Sequence, residues 1–174
     1  MRQKFLEKGI PDLASGNGLG SMYYGYSTIE EPVKIGLIGT GDEAGVLIGA
    51  INPTYVQVVA IADIRPYSIY RAFYGDAKNM KARPGLLNKY GLQAKYEDVQ
   101  KLVDKKAKEI TLVDKKKNPV TIRCYSDLYD ELLDDPEVEA VIIALPLHLH
   151  RDAAIKALKK GKHVLSEKLM AHSV

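Results

Sequence analysis

The chain has 174 residues, 46% of them hydrophobic and 27% charged, which is enough apolar material for one cored domain and too much for a disordered chain. A net charge of +3 is too small to argue for nucleic acid, and no stretch approaches the roughly 18 consecutive apolar residues of a membrane helix. The single cysteine, Cys124, rules out an internal disulfide and suits a reducing compartment, so a cytoplasmic protein is expected.

Residues 1–32 read as an irregular N-terminal arm after a short helical start. Met1–Ile10 interleaves charged and apolar residues, unlike a secretory signal. Pro11, Gly16, Gly18, Gly20, Gly25 and Pro32 then break any period, while Tyr23, Tyr24 and Tyr26 add adhesive surface. Such a segment either stays loose, as termini do, or lies against the domain or a partner subunit.

From Val33 the pattern becomes periodic. Val33–Ile38 is a short apolar run ending in glycine, as a buried parallel strand requires. Residues 42–51 carry Ala44, Val46, Leu47 and Ile48, enough for a helix on that strand, and Gln57–Asp63 is a second apolar strand ending in a carboxylate. Strand, helix and strand within about thirty residues form a βαβ unit. The pattern blurs from Pro66 to Pro119, where helical turns fall around Ile69–Phe73 and Asp98–Lys108. Glu109–Val113 and Val120–Cys124 then flank the charged turn Asp114–Pro119 as a hairpin, its lysines solvating the turn. Further on, Ser126 is a candidate cap for a helix with Leu128, Leu132 and Leu133 on its apolar face. Ala140–Leu145 is the cleanest strand. Residues 149–160 form a helix with Ala153, Ala154, Ala157 and Leu158 inward, closed by Gly161, and His163–Ser166 is a last short strand. Alternation of this kind predicts an α/β fold with a doubly wound, mostly parallel Rossmann-type sheet over residues 33–174, bearing an insert at about 72–119.

Three clusters carry chemistry. Gly39-Thr40-Gly41-Asp42-Glu43-Ala44 follows the first strand and opens the first helix. Glycines at its first two positions permit a tight turn and close backbone approach to a pyrophosphate, and the small Ala44 lets helix and strand pack closely. Asp63 ends the next strand 22 positions beyond Gly41, close to the ~20 expected for a carboxylate on the ribose. That acid repels a 2′-phosphate and favours NAD over NADP, whereas Arg65 beside it would accommodate one. Leu145-Pro146-Leu147-His148-Leu149-His150 and Ser166-Glu167-Lys168-Leu169 follow the last two strands, at the sheet end where ligands collect. Lys168 there reads either as a donor to a substrate oxygen or as an ion-pair partner of Glu167. His148 and His150 share a spacing seen in metal sites, but no cysteine or carboxylate cluster joins them, so no metal is expected.

Together these residues resemble the Gfo/Idh/MocA family, which includes glucose–fructose oxidoreductase, inositol dehydrogenase and rhizopine-catabolism enzymes. The resemblance runs over residues 33–174 and also takes in Tyr125-Ser126-Asp127-Leu128, the acidic run Asp134–Ala140 and Gly161-Lys162-His163-Val164. It implies an NAD(P)-dependent oxidoreductase acting on a sugar or polyol. Gly39, Thr40, Gly41 and Ala44 would then form the pyrophosphate turn, and Asp63 with Arg65 would lie at the adenosine ribose. Leu145, Pro146 and His150 would lie beside the nicotinamide, Glu167 at the nicotinamide and substrate, and Lys168 on the reacting hydroxyl. Leu145, Leu147 and Leu169 depart from the family's usual threonine, asparagine and proline. The resemblance also implies a further substrate domain, absent from this chain, that makes a homo-oligomer and leaves the chain inactive alone. Two other readings stay open: an NAD-dependent glycosidase of the same superfamily, and a non-catalytic dinucleotide-binding module.

Overall fold

A computed structural model describes residues 31–171. The expected arm falls almost wholly outside them, as does the end of the chain after Ala171. Six strands form one sheet: β1 (Val33–Ile38), β2 (Val56–Ala62), β3 (Glu109–Val113), β4 (Pro119–Tyr125), β5 (Ala140–Ile143) and β6 (His163–Ser166). Their order is β3-β4-β2-β1-β5-β6, with β3 antiparallel to β4 and every other pairing parallel. The predicted doubly wound sheet is therefore present, and the predicted hairpin forms one of its edges. No helix among the described residues is long and apolar enough to cross a membrane.

Both sheet faces are covered, which explains the unbroken apolar strands. Adjacent residues of β1 point to opposite layers. Leu37 packs with Ile48, Ile61, Phe73 and Val99, while Ile38 packs with Ala62, Leu132, Val141 and Ala153. Each such fully buried side chain contributes roughly 1.5–3 kcal/mol. The helices are α1 (Asp42–Ala50), α2 (Pro66–Tyr74), α3 (Gly85–Tyr90), α4 (Tyr96–Val103), α5 (Tyr129–Asp134) and α6 (His150–Lys159).

Three local expectations need correction. Ser126 does not cap α5: the chain runs extended through Leu128 into Tyr129, and Leu128 stands 62% exposed instead of joining Leu132 and Leu133. Leu158 is exposed as well, because the inward stripe of α6 is His150, Ala153 and Ala157 and position 158 lies about 100° around the helix from 157. The helix expected over Asp98–Lys108 stops at Val103, where Lys105 turns left-handed and the Lys106 and Ala107 amides bond back to the Lys101 carbonyl at 2.7 and 3.1 Å. The closure of α6 at Gly161 occurs as expected, with the Lys162 amide returning to the Ala157 carbonyl at 3.0 Å.

The stretch that blurred in the sequence packs against α1. Lys89 Nζ donates to the Gly49 carbonyl at 2.6 Å and the Tyr90 hydroxyl donates to the Val56 carbonyl at 2.9 Å. Residues 82–84 lie over Gly45 and Gly49, so closely that a methyl at position 49 would meet the Ala82 carbonyl oxygen at 2.5 Å. Alanine would gain about 0.5–1 kcal/mol of helix propensity there, but overpacking against backbone costs about 1–3 kcal/mol. Gly49→Ala is therefore expected to lower the urea midpoint with an unchanged m-value. A midpoint at or above that of the wild type would contradict this packing.

Candidate functional site

The site forms where the strand order reverses. β1 leads through α1 to β2 on one side and is flanked by β5 on the other, so the loops after β1 and β5 diverge and leave a crevice between them. The turn after β1 is held from three directions. The Gly39 amide donates to the Ala62 carbonyl at 2.8 Å, and the Ala144 amide donates to the Ile38 carbonyl at 2.8 Å. The third tie comes from Asp63, whose Oδ2 accepts from the Thr40 amide at 2.8 Å and from its hydroxyl at 3.2 Å.

Gly39 sits at φ +84°, and a Cβ there would meet the Ala144 carbonyl oxygen at 2.5 Å. Only glycine fits both the dihedral and the space. α1 then starts at Asp42 with Gly41 in the N-cap position and no side-chain cap, so its first-turn amides have neither an intrahelical nor a capping acceptor. An anion placed there would meet free N–H groups and the positive end of the helix dipole. Of the two first-turn acids, Asp42 and Glu43, the first is neutralised sideways. Asp42 pairs with Arg71 at 2.6 Å, and that hydrogen bond and charge hold its carboxyl below the usual range.

Two cavities share the Ala144–Pro146 loop. One, of about 240 Å³, is largely apolar and lies between Gly39, Asp63, Ile64, Tyr125, Leu128 and Pro146. The other, of about 220 Å³, lies between Gly41, Arg65, Pro146, His150, Glu167 and Lys168. Arg65 and Leu145 line both. Every candidate residue thus gathers at one end of the sheet, except that Thr40 and Ala44 are buried beneath the turn and hold its shape.

Asp63 has little surface left. Its Oδ1 accepts from the Arg65 amide at 2.8 Å, and the mostly exposed Arg65 guanidinium lies 3.7 Å away. Glu167 is set by the β5–β6 ladder, its amide donating to the Ile143 carbonyl at 2.9 Å. Its carboxylate accepts from the Lys168 amide at 2.9 Å, and Lys168 has no ion-pair partner among the described residues. The ion-pair reading of Lys168 therefore has no contact behind it. His150 is 2% exposed, with Nδ1 2.7 Å from the Leu169 carbonyl oxygen and Nε2 2.6 Å from that of Leu145.

Sequence reasoning did not single out Ile64, Tyr125, Leu128 or Tyr129 as site residues, yet they wall the apolar cavity. The signal was available: Tyr125 ends, and Leu128 follows, a strand that, once paired with β2, finishes at the same end of the sheet as the glycine turn. The Tyr125 hydroxyl donates to Asp135 at 3.0 Å, and burial followed by that acidic contact pushes its phenol up to about 12. Cys124 beside it is buried, and burial pushes its thiol up to about 12, which disfavours the reactive thiolate.

A reversed strand order, an uncapped glycine turn and an acid tied to that turn define a Rossmann-type dinucleotide-binding domain. The chain belongs to the Gfo/Idh/MocA oxidoreductases: the family model for the oxidoreductase family with an NAD-binding Rossmann fold matches residues 33–174. An uncharacterised oxidoreductase of Rhizobium meliloti is 61% identical over 46 residues, 26% of this chain and 14% of that protein. Levoglucosan dehydrogenase of Pseudarthrobacter phenanthrenivorans is 45% identical over 42 residues, 24% of this chain and 11% of the relative. The 1,5-anhydro-D-fructose reductase of Ensifer adhaerens is also 45% identical over 42 residues, 24% of this chain and 13% of that enzyme. Among solved structures, myo-inositol dehydrogenase of Lactobacillus casei, with NAD(H) and myo-inositol, aligns with a TM-score of 0.48 and 22% identity, over 81% of this chain and 30% of the other. The chain thus spans under a third of the solved relative's length, and its matches to the curated relatives span still less of theirs.

Proposed function

We propose that this chain is the cofactor-binding part of an oxidoreductase that moves a hydride between nicotinamide and the hydroxyl-bearing carbon of a sugar or polyol. The observation that carries the reading is the Asp63–Thr40 bond at 2.8 Å, which brings a ribose-binding acid against an uncapped phosphate turn. The residues present fit a dinucleotide: Gly39 allows the tight turn, Gly41 leaves room for a diphosphate at the first-turn amides of α1, and the apolar cavity between Ile64 and Leu128 suits an adenine ring. NAD is the preferred form, because a 2′-phosphate would meet the Asp63 carboxylate. The names of the relatives from Pseudarthrobacter and Ensifer, both sugar oxidoreductases, support a sugar substrate.

When bound, the cofactor supplies C4 of nicotinamide as the hydride acceptor or donor. The chain's own residues position the substrate and manage its proton. Lys168, at the mouth of the second cavity, holds the substrate oxygen by a hydrogen bond that strengthens as charge develops on that oxygen. Glu167 fixes the backbone of Lys168 through its amide, and the Pro146 loop, which lines the same cavity, would lie beside the nicotinamide.

The experiment, on a parent protein that carries the substrate domain, is a panel of inositols, hexoses, anhydro sugars and glycosides with oxidised NAD or NADP, followed through the absorbance of reduced nicotinamide. Reduced cofactor should accumulate mole for mole with oxidised sugar. Cleavage of glycosides without net reduction would favour a glycosidase instead, and no reaction with any compound despite cofactor binding would favour the non-catalytic module.

A further inference from the structure

Asp42 is the first residue of α1, where the helix dipole draws a carboxylate toward the same first-turn amides that a diphosphate needs. The acid is exposed and free to swing, yet it does not take them. Its Oδ1 lies 2.6 Å from Arg71 Nη1 instead.

Arg71 is built to hold it. The guanidinium side chain is 17% exposed, its Nη2 lies 3.3 Å from Asp76 Oδ2, and it sits 5.6 Å from the centre of the Tyr67 ring. These contacts fix the planar fork in advance, so little side-chain freedom is lost in keeping Asp42 aside. Arg83, from the loop between α2 and α3, reaches the same residue, its Nε donating to the Asp42 carbonyl at 3.2 Å. The Arg71 hydrogen bond and charge hold the Asp42 carboxyl below its ordinary value, and the charges of Arg83 and Arg65 add to them. Glu43, the other first-turn acid, is exposed and has no ion-pair partner among the described residues.

We propose that Arg71 is a positioning residue for the cofactor: it keeps the Asp42 carboxylate off the α1 amides and so leaves them to the diphosphate. The inference rests on the dinucleotide reading of the glycine turn. Once released from Arg71, Asp42 would oppose the diphosphate in two ways, by repelling its charge and by occupying its N–H donors. Because Arg71 acts through Asp42, the two residues must be coupled. A plain attraction between Arg71 and the phosphates would persist whatever side chain stood at position 42.

Calorimetric titration with NADH of single and double variants tests this. Arg71→Met should weaken binding about tenfold, the scale of one unscreened charge close to a charged ligand. Added to Asp42→Asn, the same change should cost less than about threefold, whereas added to Glu43→Gln it should still cost about tenfold. An unchanged affinity in Arg71→Met overturns the proposal. So does an equal loss with and without Asp42→Asn, which would mean attraction at a distance, and so does a rescue by Glu43→Gln as complete as that by Asp42→Asn, which would mean net charge. If Arg71→Met fails to fold, a crystal structure of the wild type with NAD decides: the Asp42–Arg71 contact should persist beside the bound diphosphate, and a broken pair overturns the role. Absence of NADH binding by the wild type would sink the dinucleotide reading and this proposal with it, whereas binding without coupling overturns the proposal alone.

Discussion

Gly39→Ala is expected to abolish dinucleotide binding and to destabilise the domain by about 2–4 kcal/mol. Two costs combine. A side chain at φ +84° carries left-handed strain, and its methyl would meet the Ala144 carbonyl oxygen at 2.5 Å. Displacing that carbonyl would disturb the loop after β5, which the Ala144 amide ties to the Ile38 carbonyl. The turn must therefore move, and the diphosphate cradle with it. Gly41→Ala makes the contrast that identifies the cause. Gly41 has an ordinary φ of −73°, and its Cβ would touch only the flexible Arg65 guanidinium, at 3.3 Å. Its fold should survive with a urea midpoint near that of the wild type, while affinity falls, since the methyl would stand where the diphosphate must approach. Equal stability of both variants would show that the turn is softer than its geometry indicates.

In a parent protein that carries the substrate domain, Lys168→Ala is expected to lower turnover by about 10²–10⁴-fold, the range of a lost proton-transfer group, while cofactor affinity stays within about threefold. The separation follows from the layout. The diphosphate turn and Asp63 lie at the ends of β1 and β2, whereas Lys168 follows β6, two strands beyond β1 in the sheet. An exposed lysine with no ionic partner among the described residues contributes little to stability, so a loss of rate reports on chemistry. An unchanged rate would remove Lys168 from the reaction.

Much of this was legible in the sequence because both ends of the sheet's centre are written in strong signals. Val33–Ile38 and Gln57–Asp63 are apolar because they are covered on both faces, and the turn between them needs a glycine for steric reasons that leave little choice. The region from Pro66 to Val103 was only partly legible for an equally physical reason. Its helices α2, α3 and α4 have nine, six and eight residues, too few turns for an apolar period to stand out. α3 was missed altogether, since Leu86 is its one fully buried apolar side chain and its other ties are single hydrogen bonds from Lys89 and Tyr90. Leu128 misled because it is apolar and correctly spaced for α5, yet it faces the cavity, where a ligand and not the core would cover it. The contacts of His150 with the Leu145 and Leu169 carbonyls are invisible in sequence, since only the fold brings those loops together.

The most direct test of the central claim is calorimetric titration of the purified protein with NADH, repeated with NADPH. The expected result is saturable one-to-one binding of NADH, with NADPH about tenfold weaker, a difference of about 1.4 kcal/mol set by Asp63. No measurable binding of either dinucleotide would contradict the account.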